Sequence, residues 1–103
     1  MLAGEPAPTA AALLRSRYTA HVLGDDEHLH RSWHPDRRPP RPHVDPAMRW
    51  RGLTVVAVDG GGPLDATGTV EFAAQHAGGA VRERSRFVRL DGRWVYVDAV
   101  VDG

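Results

Sequence analysis

The spacing of apolar and polar positions changes once along this chain. Over residues 10–22, Leu14, Tyr18, His21 and Val22 recur at helical spacing and share one face of a predicted helix. Thr9, following Pro8, has the chemistry of an N-cap, and Gly24 ends the element. Asp25 and Asp26 open a second short helix running to about Ser32, with Leu29 and Trp33 as its apolar contacts. Beyond residue 46 the period falls to two. Strands are predicted over 48–58, 68–77, 80–90 and 93–101, and Gly60-Gly61-Gly62-Pro63 separates the first from the second.

Helices at 9–33 and a sheet at 48–101 are joined by a different kind of segment. Residues 35–46 contain five prolines, at 35, 39, 40, 42 and 46. Each removes an amide donor and disfavours the helical region for its predecessor, which predicts an extended connector, in part polyproline II. Pro39-Pro40-Arg41-Pro42 matches a minimal PxxP, read here as part of a stiff crossover rather than a docking ligand.

Turn chemistry gives the last three strands a register. Asp91-Gly92 and Gly78-Gly79 are both two-residue hairpin signals. They pair Leu90 with Arg93, Phe87 with Tyr96 and Ser85 with Asp98. On the other side they pair Ala74 with Glu83, Phe72 with Ser85 and Val70 with Phe87. One face then collects Val70, Phe72, Ala74, Glu83, Ser85, Phe87, Trp94, Tyr96 and Asp98. The opposite face carries Arg82, Arg84 and Arg86 with Val88, Val95 and Val97, and sets Glu71 across from Arg86. The helices must cover the aromatic face, so the chain of 103 residues is expected to fold as one α+β domain, a cone of helices on a curved antiparallel sheet.

Composition removes several chemistries. Thirteen basic and thirteen acidic residues cancel, and every basic one is arginine; lysine, cysteine, asparagine and isoleucine are absent. Without lysine there is no phosphate-loop lysine and no Schiff base; without cysteine there is no disulfide, thiolate nucleophile or cysteine zinc site. The arginine bias fits a GC-rich genome, and the neutral balance argues against a nucleic-acid partner. Residues 1–8 lack a basic start and no apolar run reaches the ~20 residues of a membrane span, so the protein is read as soluble and cytoplasmic, with no membrane partner.

Two carboxylates, Glu83 and Asp98, share the predicted inner face with Ser85 and the Tyr96 hydroxyl. Buried groups of this kind need partners, and Arg15, Arg17, Tyr18, His21 and His34 are available from the helical half. Aromatic walls with a few convergent polar groups describe a small-molecule pocket and equally a satisfied structural network. His28, His30 and His34 are spaced for a shared helix face, but nothing completes a metal set; no metal and no cofactor is expected. Ser85 has no nucleophile elbow around it and reads as a small inward residue.

The segments RSRYTAHVLGDDEHLHRSWHP (15–35) and RERSRFVRLDGRWVYVD (82–98) resemble the middle domain of the YchJ family, with GEPAPTA (4–10) and GTVEF (68–72) in support. That domain belongs to the nuclear transport factor 2-like (NTF2-like) superfamily, so the resemblance implies the same α+β cone. The motif positions it carries over are Arg15, Ser16, Arg17 and Tyr18; Trp33, His34 and Pro35; and Glu83, Arg84, Ser85, Phe87, Asp91, Gly92, Trp94, Tyr96 and Asp98. Family members typically carry a cysteine-rich SEC-C zinc segment ahead of this domain. Here the chain begins where that segment would end and has no cysteine, so the zinc role is not expected to transfer. His21, His30, Arg82 and Asp98-Ala99 depart from the family pattern.

The resemblance brings no assigned activity. The leading expectation is a non-catalytic small-molecule-pocket or adaptor domain. An enzyme of isomerase, dehydratase or hydrolase type would use Glu83 or Asp98 as general base, with Tyr96 or His34 donating a hydrogen bond. An interaction module would use the outer sheet face, through which superfamily relatives form homodimers.

Overall fold

Helix α1 (Ala10–Leu23) starts where Thr9 Oγ1 accepts the Ala12 amide at 3.1 Å and stops at Gly24, whose φ of 74° turns the chain left-handed. The structure is a computed structural model describing residues 6–40, 44–45 and 47–100. The buried stripe of α1 runs through Ala10, Leu13, Leu14, Arg17 and Ala20. Tyr18 and His21 flank it, whereas Val22, predicted on the same face, lies past its edge and is 50% exposed. The Asp25 side chain caps a second helix, α2 (Asp26–Arg31), by accepting the His28 amide at 3.0 Å. Leu29, fully buried, anchors it.

The connector does not leave α2 as an extended chain. Pro35 sits at the second position of a turn, with the Arg37 amide donating to His34 O at 2.9 Å. Arg38 then reaches back, and its Nη1 donates to His30 O at 3.1 Å. Proline's fixed φ favours this turn as much as an extended run, so the extended connector expected over 35–46 does not begin at Pro35. The PxxP at 39–42 runs outside the described residues.

Four strands follow, β1 (Trp50–Gly60), β2 (Thr67–His76), β3 (Gly79–Leu90) and β4 (Arg93–Ala99), in an antiparallel meander ordered β1-β2-β3-β4. Helices on one face of such a sheet make the α+β architecture expected from the sequence. The α1 side of the sheet forms the core with Ala7, Ala10, Leu13, Leu14, Val70, Phe87 and Trp94. Phe87 is 1% exposed, so its truncation to alanine costs about 3–5 kcal/mol.

Register follows the turns in part. Asp91 (φ 51°) and Gly92 (φ 80°) form the hairpin between β3 and β4, pairing Leu90 with Arg93 and Phe87 with Tyr96. Past Tyr96 the register shifts, so that Arg86 pairs with Asp98 and Ser85 with Ala99. The extra residue is Val97, and its carbonyl accepts the Trp33 indole N–H at 3.1 Å. Asp98 is thereby carried to the outer face. The β2–β3 turn is Ala77-Gly78, not Gly78-Gly79; His76 pairs with Gly79, Phe72 with Glu83 and Val70 with Ser85. This displacement of two residues keeps every side chain on its predicted face but sets Glu71 opposite Arg84. Glu71 ion-pairs diagonally with Arg82.

Two backbone joints hold the helices in place. The Ala10 amide donates to Gly61 O at 2.9 Å, and Gly61 N to Thr67 O at 2.9 Å. A Cβ on Gly68 would lie 2.5 Å from the Gly61 Cα, so this crossing admits only glycine. At the other end of the sheet, Tyr96 N donates to Ser32 O at 2.8 Å and His34 N to Tyr96 O at 2.7 Å. This short parallel bridge seats Trp33 beside β4.

Candidate ligand pocket

Between α1 and the inner sheet face lies a cavity of about 310 Å³. Its rings come from both layers: Tyr18 from α1, Trp33 from the segment after α2, and Trp50, Phe72, Phe87 and Tyr96 from the strands. Alternation on the strands and i, i+4 spacing on the helix deliver these side chains to one space. Tyr96 is the hub, 5.1 Å from the Trp33 ring and 5.8 Å from the Phe87 ring, edge-on to each. Trp50 stands nearby with Tyr18 and His21 at 6.0 Å and His76 at 5.9 Å.

The polar groups are Arg17, Glu83, Ser85 and His21. Arg17 is 7% exposed. Its Nη1 donates to Leu29 O at 2.9 Å and to Ser32 Oγ at 2.7 Å, tying α1 to α2. The guanidinium carbon lies 4.7 Å from the Tyr96 ring centre and 5.2 Å from that of Trp33. Burial lowers the Arg17 pKa to about 10, against the pull of Tyr96 and Glu83, so it stays a cation at neutral pH.

Glu83 Oε2 accepts Ser85 Oγ at 2.5 Å and the Tyr96 hydroxyl at 3.4 Å. Burial, followed by the Glu83 charge, pushes the Tyr96 phenol up to about 12, which keeps it a donor. Among the described residues Glu83 Oε1 accepts no hydrogen bond, and no arginine forms an ion pair with Glu83. Arg17 Nε and Nη2 likewise donate to no described residue.

Of the residues singled out in the sequence, the cavity unites Arg17, Tyr18, His21, Trp33, Glu83, Ser85, Phe87 and Tyr96. Four others lie elsewhere. Asp98 is on the outer face, held by Arg86 at 2.6 and 2.7 Å, and this bond keeps its carboxyl below the usual range. His34 is used by its backbone, while its Nδ1 accepts the Asp36 amide at 3.1 Å. Arg15 sits on the exposed side of α1. Trp94 is spent in the core, under the Arg89 guanidinium at 4.7 Å. The inward pair of carboxylates is therefore corrected to Glu83 alone.

Trp50 and Val81 were the lining residues that sequence reasoning missed. No turn signal registers β1 against its neighbour, and β1 carries shifts between Trp50 and Gly52 and between Val55 and Ala57. Alternation could not be carried across them. For Val81 the signal existed, since it lies two before Glu83 on the same face. His28, considered for metal, has its Nε2 3.0 Å from Ser16 Oγ. No group of three histidine, cysteine or acidic residues among those described could hold a metal ion.

Known proteins match this chain over most of its length. A family model described as YchJ, middle NTF2-like domain, matches residues 9–99. A UPF0225 protein of Streptomyces coelicolor is 54% identical over 89% of this chain and 74% of its own length. One from Chromobacterium violaceum is 47% identical, over 93% of this chain and 76% of its own. The solution structure of a SEC-C motif containing protein from Rhodopseudomonas palustris superposes with a TM-score of 0.79 at 28% identity, covering 96% of this chain and 83% of that one. The crystal structure of a SEC-C motif containing protein from Psychrobacter arcticus gives 0.71 at 28% identity, over 96% and 64%.

Proposed function

The chain belongs to the YchJ family through its NTF2-like middle domain, and on that premise we propose that it is a non-catalytic binding domain for a small, largely apolar molecule. One observation carries this reading: the 310 Å³ cavity walled by six aromatic rings and ending at Arg17 and Glu83. Ligand pockets combine apolar walls with few orienting polar groups in this way, and this volume lies at the small end of their range, about 300 Å³ and upward.

Indole is a suitable apolar probe. In a titration followed by two-dimensional amide NMR, shifts are expected to cluster at Phe72, Ala74, Glu83 and Tyr96. Val81 lines the cavity and is 41% exposed, so Val81→Trp should obstruct entry and abolish those shifts while the rest of the spectrum persists. Shifts scattered over the surface, or unaffected by Val81→Trp, overturn the reading.

A second reading, general-base chemistry at Glu83, draws support from Oε1, which bears no hydrogen bond from a described residue. It makes a separate prediction. Cyclohexanone in D₂O should gain deuterium beside its carbonyl faster with the protein than without it, and Glu83→Gln should remove the difference. Equal rates with and without protein dispose of it. No helix among the described residues is long and apolar enough to cross a membrane.

A further inference from the structure

The polar end of the cavity holds one cation, Arg17, and one carboxylate, Glu83, and the described residues occupy only part of each. Arg17 spends Nη1 on Leu29 and Ser32; its Nε and Nη2 donate to no described residue. Glu83 spends Oε2 on Ser85 and Tyr96; its Oε1 accepts from none. We propose that the pocket takes a neutral, planar molecule bearing a hydrogen-bond acceptor beside a donor, such as a carboxamide or lactam on an aromatic ring. This deepens the binding reading above and rests on it.

Three observations converge. The first is charge. Fixed charges of opposite sign line the same cavity, so an anion gains from Arg17 what it loses to Glu83, and a cation the reverse. Either ion would be desolvated without a net counter-charge, whereas a neutral polar group pays far less to enter. The second is hydrogen-bond valence. The groups that no described residue occupies are N–H donors on one side chain and an acceptor oxygen on the other. An amide edge, with C=O and N–H side by side, complements both. The third is shape. The nearest walls to these groups are the Tyr96 and Trp33 rings, edge-on to one another at 64°, and Phe87, at 62° to Tyr96. Such rings present both a face and an edge to a flat guest.

Benzamide, benzoate and benzamidine share a ring and a planar head group but differ in charge, and toluene supplies the ring alone. Affinities for all four would be measured at pH 7 by calorimetry and amide NMR. Benzamide is expected to bind about 10-fold or more tightly than each of the others, the equivalent of one well-made buried hydrogen bond. Glu83→Gln leaves Arg17 as the sole charge, so the order should invert, with benzoate passing benzamide and benzamidine falling below detection. Benzoate or benzamidine equalling benzamide on the unaltered protein overturns the inference yet leaves the pocket intact. Toluene equalling benzamide does the same. Failure of all four probes to bind overturns the pocket reading itself. The ranking on the unaltered protein decides the matter even if Glu83→Gln fails to fold.

Discussion

Arg17→Met tests whether the buried guanidinium holds the two helices together or is merely tolerated. Methionine keeps most of the aliphatic volume and removes the charge and the donors. Two charge-assisted hydrogen bonds are lost, to Leu29 O and Ser32 Oγ, at about 1.5–3 kcal/mol each. Stacking on Tyr96 and Trp33 contributes about 1 kcal/mol more. Against this stands the cost of burying the cation. The fall of the Arg17 pKa from 12.5 to about 10 corresponds to about 3 kcal/mol that methionine would recover. The balance is a loss of about 2 kcal/mol. For a domain of this size that lowers the melting temperature by about 8–16 °C. Urea unfolding followed by tryptophan fluorescence measures it directly, with the denaturant slope expected to stay constant. Arg17→Lys should still lose stability, because an ammonium is more strongly hydrated and lacks the planar face that stacks on Tyr96 and Trp33. Wild-type stability in Arg17→Met refutes the assignment of the joint to these bonds.

Three other outcomes follow from the same geometry. Burial and the neighbouring Arg31 lower the His28 pKa, so below about pH 6.5 the unfolded chain binds a proton that the folded one resists; stability should decline as pH falls from 6.5 toward the lower folded value, and His28→Gln should flatten that segment of a pH–melting curve. Gly68→Ala should cost about 2–3 kcal/mol in chemical unfolding, because the added methyl meets the Gly61 backbone at 2.5 Å, where no flexible side chain can yield. Asp98→Asn should leave indole affinity unchanged, since Asp98 lies outside the cavity; a change of tenfold would place it back within reach of the ligand.

Local chemistry made much of this fold legible. Thr9 and Gly24 bound α1 because side-chain capping and a left-handed residue are properties of single positions. The Asp91-Gly92 turn placed Phe87 beside Tyr96 for the same reason. The Gly-Gly pair was less informative, since Ala77-Gly78 closes an equally good hairpin and leaves Gly79, at φ 145°, as the first residue of β3. Period two absorbed that error, because a slip of two residues keeps faces. The slip of one at Val97 was not absorbed. Its cause is the indole of Trp33, some 60 residues earlier, which takes the Val97 carbonyl. No turn or alternation near residue 97 signals such a partner. Arg17 and Glu83 were legible as inward polar residues, but whether they face one cavity depended on the joint that Ser32 and His34 make with Tyr96.

That joint also gives the sheet a direction of growth. The backbone at Ser32 and His34 covers the outer margin of β4 at Tyr96, pairing that residue's amide and carbonyl with the chain's own groups. At the opposite margin β1 pairs with β2 alone, and among the described residues no strand lies beyond it. Val56 and Val58, at 46% and 52% exposure, stand along that strand. Unfinished margins are where further strands add. An incoming strand would extend this sheet from β1, on the flank away from the Ser32–His34 joint. Trp50, on β1 itself, also lines the pocket, so a strand added there would lie against a pocket wall.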